Sequence, residues 1–434
     1  MSDMPARMNK TSGWLFLVAM MIVWGLISCA SSSDLHTFDG SLVNSTLTPF
    51  QPQASNDGIL SGSTDAKMLV GATFTPYPTR SVAAQASSSS IQVISTPGGS
   101  SLDSNLLSTF NPLTGLPISD PALLERRPMV IKVANAPDYV RPQSGLTLAD
   151  VVYEYYIEWG DTRFIAVMYG NDSPMVGPVR SGRFFDEHVA RMYNAFLVFK
   201  FADPREYSYL KESTLNEFLV VPGTSTCPPF VIGPQKRDTY NNIFFDTSRW
   251  ASCAARRGLD NTRQTLRGGF FNEQLPSSSL VATRVYTRYS PYSYNYWEYE
   301  PITHEYFRYQ EAKDMINGAP ESYALLHDSQ TGMPVTADNV VVLFVPYIFS
   351  SQFDAEDEVY HIDLIDFGDA YVFRDGLASP AVWNRTDENQ PLLITHPDGT
   401  PFFLKPGRTF YEVIGTSSSY LHSGTEWKFD FATP

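Results

Sequence analysis

Two glutamates four residues apart, Glu154 and Glu158, and two arginines three apart, Arg180 and Arg183, are the side chains of this sequence best suited to chemistry. Paired carboxylates can serve as proton donor and nucleophile or base in glycoside hydrolysis when they lie roughly 5 to 9.5 Å apart. On a strand, at about 3.3 Å per residue, Glu154 and Glu158 stand some 13 Å apart and the pairing fails. On a helix they are neighbours about 6 Å apart and it revives. Arg180 and Arg183 enclose Ser181-Gly182 and follow Gly177-Pro178, so a glycine-bearing turn enters a helix with two guanidinium forks near its start. Such forks, together with backbone amides, suit a carboxylate or phosphate. The candidate anion or ligand pocket comprises Arg180, Ser181, Arg183, Arg163, Glu154, Glu158, Asn135 and Arg141. The competing reading has these arginines closing ion pairs with Glu154, Glu158 or Asp186 inside the fold. His188, after Asp186-Glu187, reads as a surface or satisfied residue rather than a base.

Other chemistries lack their signatures. Ser144 sits in Gln-Ser-Gly and Ser181 in Arg-Ser-Gly, neither of them a Gly-x-Ser-x-Gly elbow. P-loop, dinucleotide and HExxH motifs are missing, as is a Cys/His ligand spacing, so no cofactor and no metal is expected. Of three cysteines, Cys227 and Cys253 read either as a disulfide, worth roughly 3 kcal/mol in the chain-entropy model, or as two buried thiols.

The elements that must position these residues follow from hydrophobic period. Met129 to Ala134 is a strand candidate with Lys132 as its one charge. Leu148 to Trp159 fits helix or strand, but its β-branched and aromatic content, the Gly160-Asp161 break and the following Thr162 to Tyr169 favour a hairpin. Phe184 to Tyr193 reads as a helix with Phe185, Val189 and Met192 on one face, and Ala195 to Phe201 as a strand. Because the connections look short, a largely antiparallel sheet is expected. Further on, the apolar run Val340 to Tyr347 and short strands punctuated by Arg374-Asp375-Gly376 and Pro397-Asp398-Gly399 describe a β meander, closed into a sandwich or small barrel. The fold class is therefore α+β: an N-terminal mixed α/β domain with a largely antiparallel sheet over 105–270, a β-rich C-terminal domain over 271–418, and a tail over 419–434. The tyrosines between Tyr286 and Tyr309 are read as rings packed on strands, with a sugar-stacking platform as the alternative.

The net charge of -15 is unevenly placed: residues 1–104, 105–270 and 271–434 carry -2, +1 and -14. The last third should repel polyanions, so nucleic acid is not an expected partner. At the N-terminus, Arg7 and Lys10 precede the apolar run Trp14 to Ile27, an export signal over residues 1–28. That run ends in Leu26-Ile27-Ser28-Cys29, which resembles a bacterial lipobox and makes Cys29 the expected lipidation site. The alternative is an uncleaved membrane anchor. Residues 29–104 are rich in Ser, Thr, Pro and Gly and read as a flexible tether with a reach of about 50 Å.

Taken together, Asn111-Pro-Leu-Thr-Gly-Leu116, Arg141-Pro-Gln-Ser-Gly-Leu146, Ala149-Asp-Val-Val-Tyr-Glu154, Thr162-Arg-Phe164 and Gly177-Pro-Val-Arg-Ser-Gly-Arg183 resemble the DUF3048 (YerB-type) family of bacterial lipoproteins. His327-Asp328, Asp338-Asn-Val-Val341, Val372-Phe-Arg-Asp-Gly376, Trp383-Asn-Arg385 and Gly407-Arg-Thr409 are similar to its second domain. The resemblance runs from about Asn111 to Gly415 and implies an envelope lipoprotein with two such domains, without supplying a reaction. The chain departs from the family pattern at Lys200-Phe-Ala-Asp203, where relatives tend to have His-Ala-Gly-Gly-Ser, and at Tyr240-Asn-Asn242, where they tend to have Pro-His-Asn. No histidine-based role is carried over to those positions. The expected function is that of an exported, membrane-anchored binding or scaffold protein of the cell envelope, without catalysis. Its partners are then the membrane, through the N-terminal lipid, and an envelope glycan, peptide or protein. The alternatives are an envelope-acting enzyme with a pocket around Arg180 and Glu154, and a purely structural interaction module.

Overall fold

The computed structural model describes residues 110–223, 225–234, 241–266, 269–350 and 358–433. Cys29, the export signal and the tether lie outside the described residues. The first long hairpin forms where expected. Strand β1 (Met129–Ala134) pairs antiparallel with β3 (Asp161–Met168), which pairs antiparallel with β2 (Val151–Glu158). Helix α1 (Phe184–Met192) then crosses over and returns the chain to β4 (Phe196–Val198), parallel to β1, with the short β5 (Leu219–Val220) parallel to β4. Phe185, Val189 and Met192 are all buried, as the helical period requires.

On the other side of β2 the neighbour comes from far along the chain. Thr409–Gly415 runs parallel to β2, pairing Glu154 with Glu412, and parallel also to Asn339–Val345. The sheet continues antiparallel through Asp366–Arg374, Leu377–Arg385 and Leu393–Thr395 to reach eleven strands among the described residues. A second, seven-stranded sheet contains Arg284–Arg288, Tyr294–Glu300, Glu305–Glu311 and Glu426–Asp430. It packs on one face of the large sheet, where Trp297 meets Phe410 at 4.7 Å and Trp427 meets Tyr371 at 5.1 Å. On the opposite face lie α1, α2 (Pro204–Glu212) and α3 (Trp250–Arg257), with Tyr155 against Phe185 and Phe196 against Trp250.

Three expectations need correction. Strand dominates and the helices are short, so the N-terminal region is not a mixed α/β domain with its own largely antiparallel sheet. Its outer half is parallel, with α2 supplying the crossover between the parallel neighbours β4 and β5. The β-rich region does not close into a separate sandwich or barrel, since its apolar strands extend the same sheet. Nor is 419–434 a tail: Ser419–Ser423 and Glu426–Asp430 form a hairpin that buries Trp427 and Phe429. The tyrosine-rich segment splits between buried rings and an outer row, with Trp297 and Tyr306 turned inward by alternation and Tyr294 covered on the outer face by Tyr323. Tyr289, Tyr294, Trp297 and Tyr306 are buried, while Tyr286, Tyr296 and Tyr309 form a cross-strand row outside. Tyr296 and Tyr309 stack face to face at 4.6 Å, so those ring faces are spent on one another rather than offered to a sugar. Cys227 and Cys253 are joined in a disulfide with their Cα atoms 5.6 Å apart.

Candidate functional site

A cleft of about 330 Å³ opens beside the tip of the β2–β3 hairpin. Glu158, Trp159, Ser181, Arg183, Phe201 and Glu206 line it, with Asp203, Arg205 and Glu358 at its edge. Two-residue hairpins favour turns with positive φ at both central residues, usually Asn-Gly. Here the two residues are Trp159, at φ 53°, and Gly160, at φ 86°. A bulky side chain with positive φ is uncommon, and such strain persists only where surroundings over-determine it. The surroundings do so: the Trp159 amide donates to Glu358 Oε2 at 2.6 Å and Ser290 Oγ donates to the Gly160 carbonyl at 2.6 Å. Across the cleft Phe201 repeats the pattern, with φ 58° and its carbonyl accepting from the Gly182 amide at 2.9 Å. Trp159 is 65% exposed and Phe201 60%.

The floor is ionic. Arg183, the residue that begins α1, donates to Glu206 Oε2 at 2.9 Å and to Glu158 Oε1. Its amide donates to Asp186 Oδ2 at 2.8 Å. Burial, with Glu158 nearby, raises the Glu206 pKa to about 7 although Arg183 opposes the shift. On the rim Arg205 pairs with Asp203 at 2.8 Å. Glu358 accepts from the Tyr156 hydroxyl at 2.6 Å, the Trp159 amide at 2.6 Å and the Tyr360 hydroxyl at 3.2 Å, all neutral donors. Behind the floor, Lys132 Nζ lies 2.7 Å from Asp186 Oδ1 with the Tyr155 hydroxyl on both, and burial lowers the Lys132 pKa to about 8.

Only part of the predicted pocket converges here. Glu158, Ser181 and Arg183 line the cleft; Glu154, Asn135 and Arg141 do not. A bulge between Tyr156 and Glu158 breaks the strand's alternation, which separates the two glutamates. Glu154 faces the second sheet and is sealed: it accepts from Asn135 Nδ2 at 2.9 Å, Thr162 Oγ1 at 2.7 Å and Arg308 Nη2 at 2.5 Å. Arg308 also donates to Glu412 Oε1 at 2.9 Å, and all three charged groups are buried. Burial raises the Glu154 pKa, and Glu412 beside it adds to the shift. Arg141 closes on Glu311 and on the Asn135 carbonyl at 3.0 Å. A pocket built around Glu154 is thus excluded, because its carboxylate stands between two sheets. Arg163 pairs with Asp161 at 3.6 Å, and burial together with neighbouring Arg180 lowers its pKa to about 10; neither arginine lines the cleft. His188 is satisfied, its Nδ1 2.8 Å from Arg385 Nη1, and burial lowers its pKa to about 3.

Sequence reasoning missed Trp159, Phe201, Glu206 and Glu358. Trp159 carried a usable signal: it stands before Gly160 at a hairpin tip, where asparagine or aspartate is usual. The others are brought in by tertiary packing.

Comparison with known proteins agrees with this architecture. The family models described as "Protein of unknown function (DUF3048)", N-terminal and C-terminal domains, match residues 113–260 and 285–411. The inferred lipoprotein YerB of Bacillus subtilis (strain 168) is 44% identical over 85 residues, which is 20% of this chain and 24% of that protein. The match thus spans about a quarter of that relative's length. The crystal structure of the YerB protein from Bacillus subtilis is similar in fold, with a TM-score of 0.57 and 22% identity over 70% of this chain and 96% of the other. With both domain models matched in order along one chain, the protein belongs to the DUF3048 family.

Proposed function

We propose that this chain is an exported, membrane-tethered binding protein of the bacterial envelope, and that the cleft between Trp159 and Phe201 is its ligand site. The observation that carries the reading is the pair of exposed aromatic side chains, both held at positive φ, facing one cleft whose floor is a shared ion network. Strain of this kind collects at functional positions. Export and lipid attachment are supported by the lipobox-like Leu26 to Cys29 and by the similarity to an inferred lipoprotein. The test is a photocrosslinking residue placed at Trp159 in the full-length protein in its own envelope, with the exposed Leu421 of the second sheet as control. A discrete adduct from position 159 and none from 421 is expected; equal labelling at both would remove the cleft as the site.

One observation favours a second reading, an enzyme acting on envelope material. Glu206, raised to about 7, shares Arg183 with Glu158 at the floor of the cleft and could hold a proton at neutral pH. Glu206→Gln separates the two: turnover by the native protein that the variant loses while it still captures ligand supports the enzyme, and capture with no turnover by either protein supports binding alone.

A further inference from the structure

We infer that the ligand carries an ammonium group on an alkyl chain, seated against Trp159 with its charge at Glu358. This inference rests on the cleft being a binding site and adds the chemistry of what enters. The charges set the sign. Four carboxylates border the cleft, Glu158, Asp203, Glu206 and Glu358, against two guanidiniums, Arg183 and Arg205. Arg205 is matched by Asp203, and Arg183 is shared between Glu158 and Glu206, which leaves that trio neutral while Glu206 holds a proton and one negative charge in excess once it is ionised. Glu358 adds another, since among the described residues no cation pairs with it and its contacts are hydroxyls and an amide. A phosphate or carboxylate ligand meets net repulsion here, although the arginines alone pointed to an anion. A cation finds a carboxylate whose neutral donors do not cancel its charge.

The aromatic wall suits the same group. A ring face attracts a nearby cation, tryptophan most strongly. Among the described residues Trp159 makes no ring stacking or cation contact, and 65% of it is exposed, so its indole is available. Phe201 already has the Lys200 ammonium 5.5 Å from its ring centre, so this part of the protein accommodates an ammonium on an aromatic face. Glu358 accepts from the Trp159 amide, which places the free carboxylate charge beside the free indole. The two features that recognise an alkylammonium, a desolvating aromatic surface and an uncompensated carboxylate, are adjacent.

The experiment is calorimetric titration of the full-length protein in detergent micelles with trilysine, its fully acetylated counterpart, chitotetraose and inorganic phosphate. Trilysine binding, lost on acetylation and weakened about tenfold by Glu358→Gln, is expected. The exposed Asp369→Asn on the strand Asp366–Arg374 controls for attraction to the acidic chain as a whole and should leave binding within about twofold. Should E358Q fail to fold, Trp159→Asn reads the same site through its aromatic wall, with a loss of roughly fivefold expected. Equal losses from E358Q and D369N, or equal binding of the acetylated peptide, overturn the inference. Chitotetraose or phosphate binding that W159N abolishes also overturns it, while leaving the cleft as the binding site. No titratable ligand together with no adduct at position 159 overturns both.

Discussion

Replacing Arg308 with methionine should destabilise the protein by about 3–5 kcal/mol, because it leaves two buried carboxylates without their cation. Glu154 and Glu412 sit at the same register on adjacent parallel strands, and Arg308 reaches them from the second sheet at 2.5 and 2.9 Å. Methionine fills much of the space between Phe164, Trp297 and Phe410, so the loss is mainly electrostatic. For a folded body of this size roughly 1.5 °C of Tm accompanies each kcal/mol, which puts the shift near 6 °C in thermal unfolding at neutral pH. The sign of its pH dependence follows from the proton count. Burial and Glu412 raise the Glu154 pKa in the native protein even with Arg308 present, and without that cation it rises further. The folded variant then binds more protons than the unfolded chain, whose glutamates titrate near about 4.3, so its stability falls as pH rises and recovers toward pH 5. Combining R308M with Glu154→Gln and Glu412→Gln should restore most of the loss, since the glutamines can still accept from Asn135 and Trp297. A shift under about 2 °C, or a deficit that does not shrink on acidification, would refute the account of Arg308 as the counter-ion of the interior.

Trp159→Asn should raise stability by about 0.5–1 kcal/mol in chemical denaturation, since asparagine tolerates the left-handed conformation, while it weakens ligand capture at the cleft roughly fivefold. Loss of stability would instead make Trp159 a structural residue. Reducing the Cys227–Cys253 bridge, which closes a separation of 26 residues, should cost roughly 3 kcal/mol, measured as a lowered Tm in reductant; the double serine variant should match it and be insensitive to reductant. Cys29→Ala should abolish incorporation of labelled palmitate, and retained label would place the acyl chain elsewhere.

The hairpin of β2 and β3 was legible because its β-branched and aromatic residues and the Trp159-Gly160 tip are local signals. The same holds for α1, whose apolar positions recur at helical spacing. The continuity of the large sheet was not legible: β2 pairs with Thr409–Gly415 through backbone hydrogen bonds, which leave no mark on either segment taken alone. The candidate site was half legible. Ser181, Arg183 and Glu158 line one cleft, but the bulge that turns Glu154 away could not be seen in an alternating run. Arg308 stood among tyrosines in a strand that looked amphipathic, and its partners lie 154 and 104 residues away. Its importance comes from which layer covers it, and that is decided by tertiary packing.

The placement of Thr409–Gly415 beside β2 has a consequence for the order in which the polypeptide can mature. About 260 residues separate the two strands, so at synthesis rates of roughly 5–20 residues per second β2 waits some 13 to 50 seconds for its neighbour. During that interval β2 is an open edge of Val, Tyr and Ile, and Glu154 has neither Glu412 beside it nor Arg308 above it. An unpaired apolar edge is a template for association with other chains. The nascent protein therefore needs shelter for that edge until Thr409–Gly415 arrives to cover it.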